Sequence, residues 1–554
     1  MITPPSHRRG PRWQLAATVV FAVVLVASCS SGKSKKASTT STTPSANGGA
    51  SPSAAQVAPG EAPAEGAPDA TPANVDKQLR AADAWGWNGY AQIGDGTVCD
   101  KPNQGDNCIR LAPVGVVAPG GSGPLSGLRS LTAGSLHNLA LRPDRTVLSW
   151  GRNLEGELGQ GGFGAAVPVP KAVVGPGGQG QLRNVTALGA GGAQSLAVSN
   201  GQVFAWGDNI WGELGVGTSD GPQHCPHTAP GAPSLGPTTT TRPAGAADSC
   251  AQAPTAVLGP TGTGPLTGVA ALSPGDTHSV ALMNDGTVWT WGLNDLGQLG
   301  IGNHDGPDKC KPFQTFDAVG CSTKPVQVLG PNGQGHLDNV KAIAAGADFT
   351  VALRGDGTVW AWGSGGFADL GQPNPSDLEK CITPFNPSGI CSTKPLQVVG
   401  PNGQGFLTGV KSISTSGSGS GLHVLALKTD GSVWGWGVDD EGQLGNGQSI
   451  QFVPTPVQVV GPGGAGTLSG VAAIAAGGKY SMALKSDGTL WSWGYNRFGE
   501  LGVNSATGPQ QCTTTHDPCS MTPVQVAGMN GNGQLTGVAA VAAGDFSALV
   551  ATES

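Results

Sequence analysis

Trp291-Gly292-Leu293-Asn294-Asp295-Leu296-Gly297-Gln298-Leu299-Gly300 decides how this 554-residue sequence folds, because close versions of it occur seven times, beginning at Trp85, Trp150, Trp206, Trp291, Trp362, Trp436 and Trp493. The spacing runs from 56 residues (Trp150 to Trp206) to 85 residues (Trp206 to Trp291), so the chain is an array of units of variable length. Each interval carries the same further segments in the same order. Pro325–Gly371 shows one unit in full. Pro325-Val326-Gln327-Val328-Leu329 reads as a strand, and the Gly-rich link Gly330–Gly335 leads to a second strand, Val340–Ala345. Phe349–Arg354 alternates with the strand period, Asp356-Gly357 supplies a tight turn, and Val359-Trp360-Ala361-Trp362 is the fourth strand.

Four short antiparallel strands per unit, repeated radially, describe a β-propeller. Turn chemistry agrees across the copies: Asp285-Gly286, Asp356-Gly357, Asp430-Gly431 and Asp487-Gly488 share one position, Asn200-Gly201 is an equivalent, and Asp144-Arg145 departs from it. Of the 14 tryptophans, 11 fall at two places in the unit, the seven above and Trp289, Trp360, Trp434 and Trp491, which is the signature of packing between sheets. Small residues at Ala342–Ala345 and Ala472–Ala476 suit strands crowded near an axis. The final unit ends after Val538–Ala543 and Ala548–Ala551 without its fourth strand, and Ala82–Gly94 is the missing piece. Closing the ring with that N-terminal strand removes two exposed edges and gives seven blades.

Composition narrows the function classes. With 92 Gly, 43 Pro and 12% charged residues, the chain is built for strands and tight turns. A net charge of −7 gives no basic footprint for nucleic acid. The N-terminus reads as a targeting segment: Arg8, Arg9 and Arg12 precede an apolar run, Leu15–Ala27, too short for a comfortable membrane span. Val26-Ala27-Ser28-Cys29 resembles the lipobox of bacterial lipoproteins, which implies a signal peptide over 1–28, lipidation of Cys29, and membrane attachment of an exported chain through that lipid. Residues 29–75 are rich in Ser, Thr, Ala and Pro and are expected to form a disordered tether ahead of a propeller over 76–554.

Beyond Cys29, ten cysteines fall as five local pairs: Cys99 with Cys108, Cys225 with Cys250, Cys310 with Cys321, Cys381 with Cys391, and Cys512 with Cys519. Such pairing suits an oxidising compartment. All lie in the insertion between the Leu-Gly turn and the next Pro-Val strand, where closed loops serve either presentation to a partner or resistance to proteases. No pair has the spacing of a structural zinc site, and no dense carboxylate loop suggests calcium, so neither metal nor cofactor is expected.

The pattern from Gly275 to Gly300, Gly-x-x-His-Ser-x-Ala-Leu-x-x-Asp-Gly-x-Val-Trp-x-Trp-Gly-x-Asn-x-x-Gly-Gln-Leu-Gly, resembles the regulator of chromosome condensation repeat. The resemblance covers roughly residues 82–551 and implies a seven-bladed, all-β propeller. The copies at Trp362 and Trp85 are degenerate: Ser364–Asp369 loses an asparagine and a glycine, and Ala91 stands where a glycine is usual. The founding member of that family acts on chromatin and on a small GTPase, and an exported acidic chain is not expected to bind either. A closer analogy is the secreted bacterial inhibitors of β-lactamases, which look like the same ring and grip an enzyme with one face.

No nucleophile elbow, phosphate loop or His-Glu-x-x-His is present, so no catalytic residue is assigned and the chain is read as non-enzymatic. His137, His278 and His423 recur at one position, replaced elsewhere by Gln194, Phe349 and Tyr480. A structural role at strand starts is one reading. The other is a rim of partner contacts formed by His137, His278, Phe349, His423 and Tyr480 with Asp348, Lys479 and Phe546. Two functions stay open: a monomeric propeller binding an extracytoplasmic protein, with a cell-wall or penicillin-recognising enzyme suggested by analogy, or a glycan or cell-wall polymer binder using Trp87, Trp211 and Phe367.

Overall fold

The computed structural model describes residues 79–99, 108–226, 247–311, 317–374, 376, 378–382, 389–417 and 422–553. The targeting segment 1–28, the lipidation site Cys29 and the tether 29–75 lie outside the described residues.

Seven antiparallel sheets form the propeller. Blade 1 spans Ser130–Ala172, blade 2 Val185–Ala256, blade 3 Val269–Gln327, blade 4 Val340–Gln397, blade 5 Val410–Gln458 and blade 6 Val471–Gln525. Blade 7 is composite. Its two inner strands, Val538–Ala543 and Ser547–Thr552, are completed by Ala81–Trp87 and Ile109–Gly115 from the other end of the chain. Ala81 pairs with Thr552 and Gly86 with Ser547, so the N-terminal strand closes the ring as the repeat arithmetic requires.

Among the described residues, four strands per blade holds for blades 1, 5 and 7, whereas blades 2, 3, 4 and 6 carry a fifth. The insertions make the extra strand: Gln223–Pro226, Asp308–Cys310, Glu379–Lys380 and Gln510–Gln511 each fold back onto the outer edge of their own sheet. All five cysteine pairs are disulfides, and the bonds in these four blades staple the added strand down.

One packing device is repeated around the ring. The seven Trp-Gly tryptophans are fully buried. Each indole Nε1–H donates to a carbonyl of the preceding blade: Trp291 to Glu213 at 2.6 Å, Trp362 to Gln298 at 3.0 Å, Trp436 to Asp369 at 2.9 Å. Trp493 reaches Gln443, Trp85 reaches Glu500, Trp150 reaches Gln92 and Trp206 reaches Glu157 in the same way. A buried indole thus satisfies its donor while filling the inter-sheet gap. The Leu-Gly glycine that faces the indole has no room for a side chain, since a Cβ on Gly300 would sit 2.8 Å from Trp362 Nε1, and its φ of +66° is left-handed.

The degenerate copies keep the turn. Ala91 and Ala368 hold φ of +63° and +65°, where the matching Gly297 has +75°, and Arg145 does likewise at +60° in the departing hairpin. Alanine can take that conformation at a cost of about 1–2 kcal/mol, so the ring tolerates the replacement with strain.

Candidate functional site

Strand parity fixes what shares a face. Within a blade the chain runs outward from the axis through successive antiparallel strands, so the loops after the first and third strands emerge on one face, and the Asp-Gly turns and Gly-rich links on the other. The histidine rim and the disulfide-closed hairpins therefore lie together, on what is here termed the hairpin face. Lys479, from the loop after the first strand of blade 6, confirms it by reaching Asp440 and Glu441, in the loop after the third strand of blade 5, at 3.2 and 3.6 Å.

The rim position itself is a seam. His137, His278 and His423 are at most 1% exposed, as are Phe349 and Tyr480. His137 Nε2 lies 2.8 Å from Ser195 Oγ of the next blade, His278 Nε2 2.8 Å from Thr350 Oγ1, and His423 Nε2 2.9 Å from Ser481 Oγ. Tyr480 donates its phenol to the Ser547 carbonyl at 2.6 Å, and Gln194 donates to the Gly275 carbonyl at 3.0 Å. Burial drives the histidine pKa values down, to about 3 for His137 and about 4 for His278 and His423, so all three are neutral at physiological pH.

A His–Ser pair at hydrogen-bond distance has the outline of a hydrolytic dyad. Here the serine is the wrong way round: Ser195 and Ser481 donate onward to the carbonyls of Glu157 and Gln443, which leaves the imidazole donating to them. Closed between two blades and repeated at three junctions, these pairs latch the ring. Of the eight rim residues read as partner contacts, His137, His278, Phe349, His423 and Tyr480 are thus enclosed by neighbouring blades, because their rings are what fills the seam. Asp348, Lys479 and Phe546 remain on the face, partly exposed.

Around the axis this face holds a set of carboxyl groups that burial keeps from ionising readily. Burial and the neighbouring Asp348 and Asp545 push the Asp276 carboxyl well above its usual range, and burial lifts Asp545 to about 8. Asp348 accepts a hydrogen bond from Thr277 Oγ1 at 2.9 Å, and burial raises it too. Among the described residues no group of three or more His, Cys, Asp or Glu is placed to hold a metal ion. A cavity of about 70 Å³ lies on the axis, lined by one wall from every blade, including Ala133, Ala190, Pro274, Ala345, Thr415, Ala476 and Ala543. It has room for a few waters and none for a substrate.

Where blade 6 meets blade 7 the hairpin face carries a cluster of aromatic rings. Trp87 stands 5.8 Å from Tyr90, 6.2 Å from Phe498 and 5.9 Å from Phe546, and Phe498 lies 5.8 Å from Phe546 and 6.1 Å from Tyr495. Trp87, Tyr90, Phe498 and Phe546 are each partly exposed. Lys479, Asp440, Arg497 and Asp517 flank the cluster with charges of both signs, Arg497 and Asp517 pairing at 3.6 Å. Phe546 and Trp87 were legible as candidates, one for each function left open, and the fold brings them together. Trp211 and Phe367 are on blades 2 and 4, so the three aromatics read as a glycan platform do not form one surface. Tyr90, Tyr495 and Phe498 escaped the sequence reading. Tyr90 and Tyr495 join the cluster through Trp87 and Phe498, while Tyr480 bonds across the same junction to the Ser547 carbonyl.

Comparison with known proteins agrees with this architecture. The profile "Regulator of chromosome condensation (RCC1) repeat" matches residues 285–353, 430–484 and 487–551, and a second profile of the same description matches 268–298, 340–368 and 471–500. The chain is 26% identical over 399 residues to the ultraviolet-B receptor UVR8 of Arabidopsis thaliana, covering 72% of this chain and 69% of that protein. It is 28% identical over 321 residues to the E3 ubiquitin-protein ligase HERC2 of Homo sapiens, covering 57% of this chain but 5% of the ligase. Among solved structures, Prp20p of Saccharomyces cerevisiae superposes with a TM-score of 0.57 at 20% identity, over 87% of this chain and 93% of that one. Human WBSCR16 gives 0.56 at 19%, over 86% and 99%. At such identities these structures speak for the fold alone. The chain is a seven-bladed β-propeller that carries regulator of chromosome condensation repeats.

Proposed function

We propose that this propeller is a non-enzymatic binding protein that acts outside the cytoplasm, tethered to the membrane through lipidated Cys29, and grips another protein with its hairpin face. The aromatic cluster of Trp87, Tyr90, Phe498 and Phe546 carries the reading. Partly exposed Trp and Tyr set in a charged rim have the make-up of an interface hot spot, and tightly closed loops beside them lower the entropy cost of presenting a binding surface. A protein-binding role also fits the solved relative whose structure was described together with its binding to Gsp1p and histones, although those partners belong to that protein. Export, lipidation and the choice of an extracytoplasmic enzyme, of the cell-wall or penicillin-recognising kind, rest on residues 1–29, on the ten paired cysteines and on analogy. The same export reading argues against a GTPase as the partner.

The test is a cross-linking pull-down from envelope extract using the full chain beside a Trp87→Ala/Phe498→Ala double variant, with thermal melting of both. One protein recovered in near-stoichiometric amount by the first and lost by the second, with little change in melting, supports the proposal. Equal recovery by both moves the site off the cluster, and retention on purified wall polymer with no protein recovered overturns the reading in favour of glycan binding.

A further inference from the structure

The four fifth strands show what the outer edge of a blade takes as a partner, and among the described residues blade 5 has none. Its outer strand, Ile450–Gln458, ends the sheet. By register, Phe452 opposite Val438 occupies the place of Cys391 opposite Ser364 in blade 4 and Cys321 opposite Leu293 in blade 3, the residues on which the added strands pair. Among the described residues a second contact is missing two residues further on, at the Pro454 carbonyl. At neighbouring junctions a backbone N–H from the preceding blade covers the outer strand: Gly217 donates to Thr323, Gly302 to Thr393, Gly447 to Met521 and Gly96 to Pro168. The residue of blade 4 that stands where Gly302 stands in blade 3 is Pro373, which has no N–H to give.

The second half of this edge is blunted by Pro454 and Pro456, a usual defence of exposed strands, whereas Ile450, Gln451 and Phe452 carry no proline or charge and only a register shift at Gln451 interrupts the strand. Ile450 is 42% exposed and Phe452 37%, and Phe367 of blade 4, 41% exposed, lies 6.0 Å from Phe452. The strand start is anchored as well, since Thr513 N–H of blade 6 donates to Ser449 Oγ at 2.8 Å. Blade 1, also four-stranded, differs: its outer strand starts at buried Val167 with Pro168 next.

We infer that Ile450–Val453 is a strand-addition site that takes an extended peptide segment from another protein, with apolar side chains at alternate positions. The guest strand pairs with the open backbone as Asp308–Cys310 pairs within blade 3, and its apolar residues lie over Ile450, Phe452 and Phe367. This site is separate from the aromatic cluster and stands or falls independently of it.

The test uses the full chain, its Phe452→Glu variant and a displayed library of heptapeptides with valine or isoleucine at alternate positions. Selected peptides are expected to bind the full chain and to lose about tenfold or more in affinity both to Phe452→Glu and when N-methylated at alternate residues, since strand addition depends on main-chain hydrogen bonds. Unchanged melting of the variant shows that the loss is local. Selection of no peptide on the full chain over the variant overturns the inference, as does equal binding of the N-methylated forms. Concentration-dependent dimers abolished by Phe452→Glu, with no peptide selected, would make the occupant a second copy and overturn it too.

Discussion

The seams between blades and the outer edges of blades follow opposite rules. Every seam is made alike: a buried tryptophan donating to a carbonyl of its neighbour, with a glycine at the point of closest approach. The outer edges differ one from another, through a stapled fifth strand in blades 2, 3, 4 and 6 and an open, apolar strand in blade 5. Uniform seams belong to a scaffold, because each blade can bury its faces only against the next. Varied edges cost the ring little and so are free to carry recognition.

Breaking a seam should have the largest effect. Trp436→Ala empties a fully buried site and strands the Asp369 carbonyl, so a loss of about 3–5 kcal/mol is expected in chemical denaturation. Removing a staple should cost less. Cys310→Ser/Cys321→Ser opens a loop of sequence separation 11, worth about 3 kcal/mol by loop entropy, and should leave the ring folded with its hairpin open to limited proteolysis. If the edge variant melts as low as the seam variant, the division between scaffold and edge fails.

A third change sharpens the account of the seam by pH. Glu500 stands where blades 3 and 5 have Gln298 and Gln443, and burial raises its carboxyl from 4.5 to about 8. The folded state therefore holds a proton that the unfolded state releases, so this group's contribution is full below about pH 4.5 and is lost as pH rises through about 8. Glu500→Gln should raise the melting temperature at pH 8 by an amount corresponding to about 1–3 kcal/mol and change little at pH 4. Equal shifts at both pH values would show that charge burial is not the cause. The smallest effect is expected at the strained turns. Ala91→Gly and Ala368→Gly should each stabilise by about 1 kcal/mol, because both positions already hold positive φ. Ala→Gly at Ala205, a buried strand residue, is the control and should destabilise.

The repeat, the strand order, the closing strand and the cysteine pairs were all legible, because each depends on residues close in sequence or on a period that propagates. The Asp-Gly turns, for instance, are fixed by the left-handed φ that Gly286 and Gly357 supply locally. The candidate site was only half legible. Lys479, Phe546 and Trp87 stood out, but nothing in the chain order says that Trp87 touches Phe498, a residue far from it in the sequence. The histidines illustrate the reverse: their recurrence marked them as special without saying whether they faced out or in.

By itself the sequence determined a closed ring of seven antiparallel sheets with five stapled insertions, since turn chemistry, strand period and inter-sheet tryptophans are written into every unit. Only the tertiary structure decided that His137, His278 and His423 are latches, that the rings of Trp87, Tyr90, Phe498 and Phe546 share a surface, and that the edge at Ile450–Val453 is left open. Those outcomes depend on which blade stands beside which. Pairwise contact across a seam is set by ring closure, and a local pattern carries no record of the neighbour it will meet.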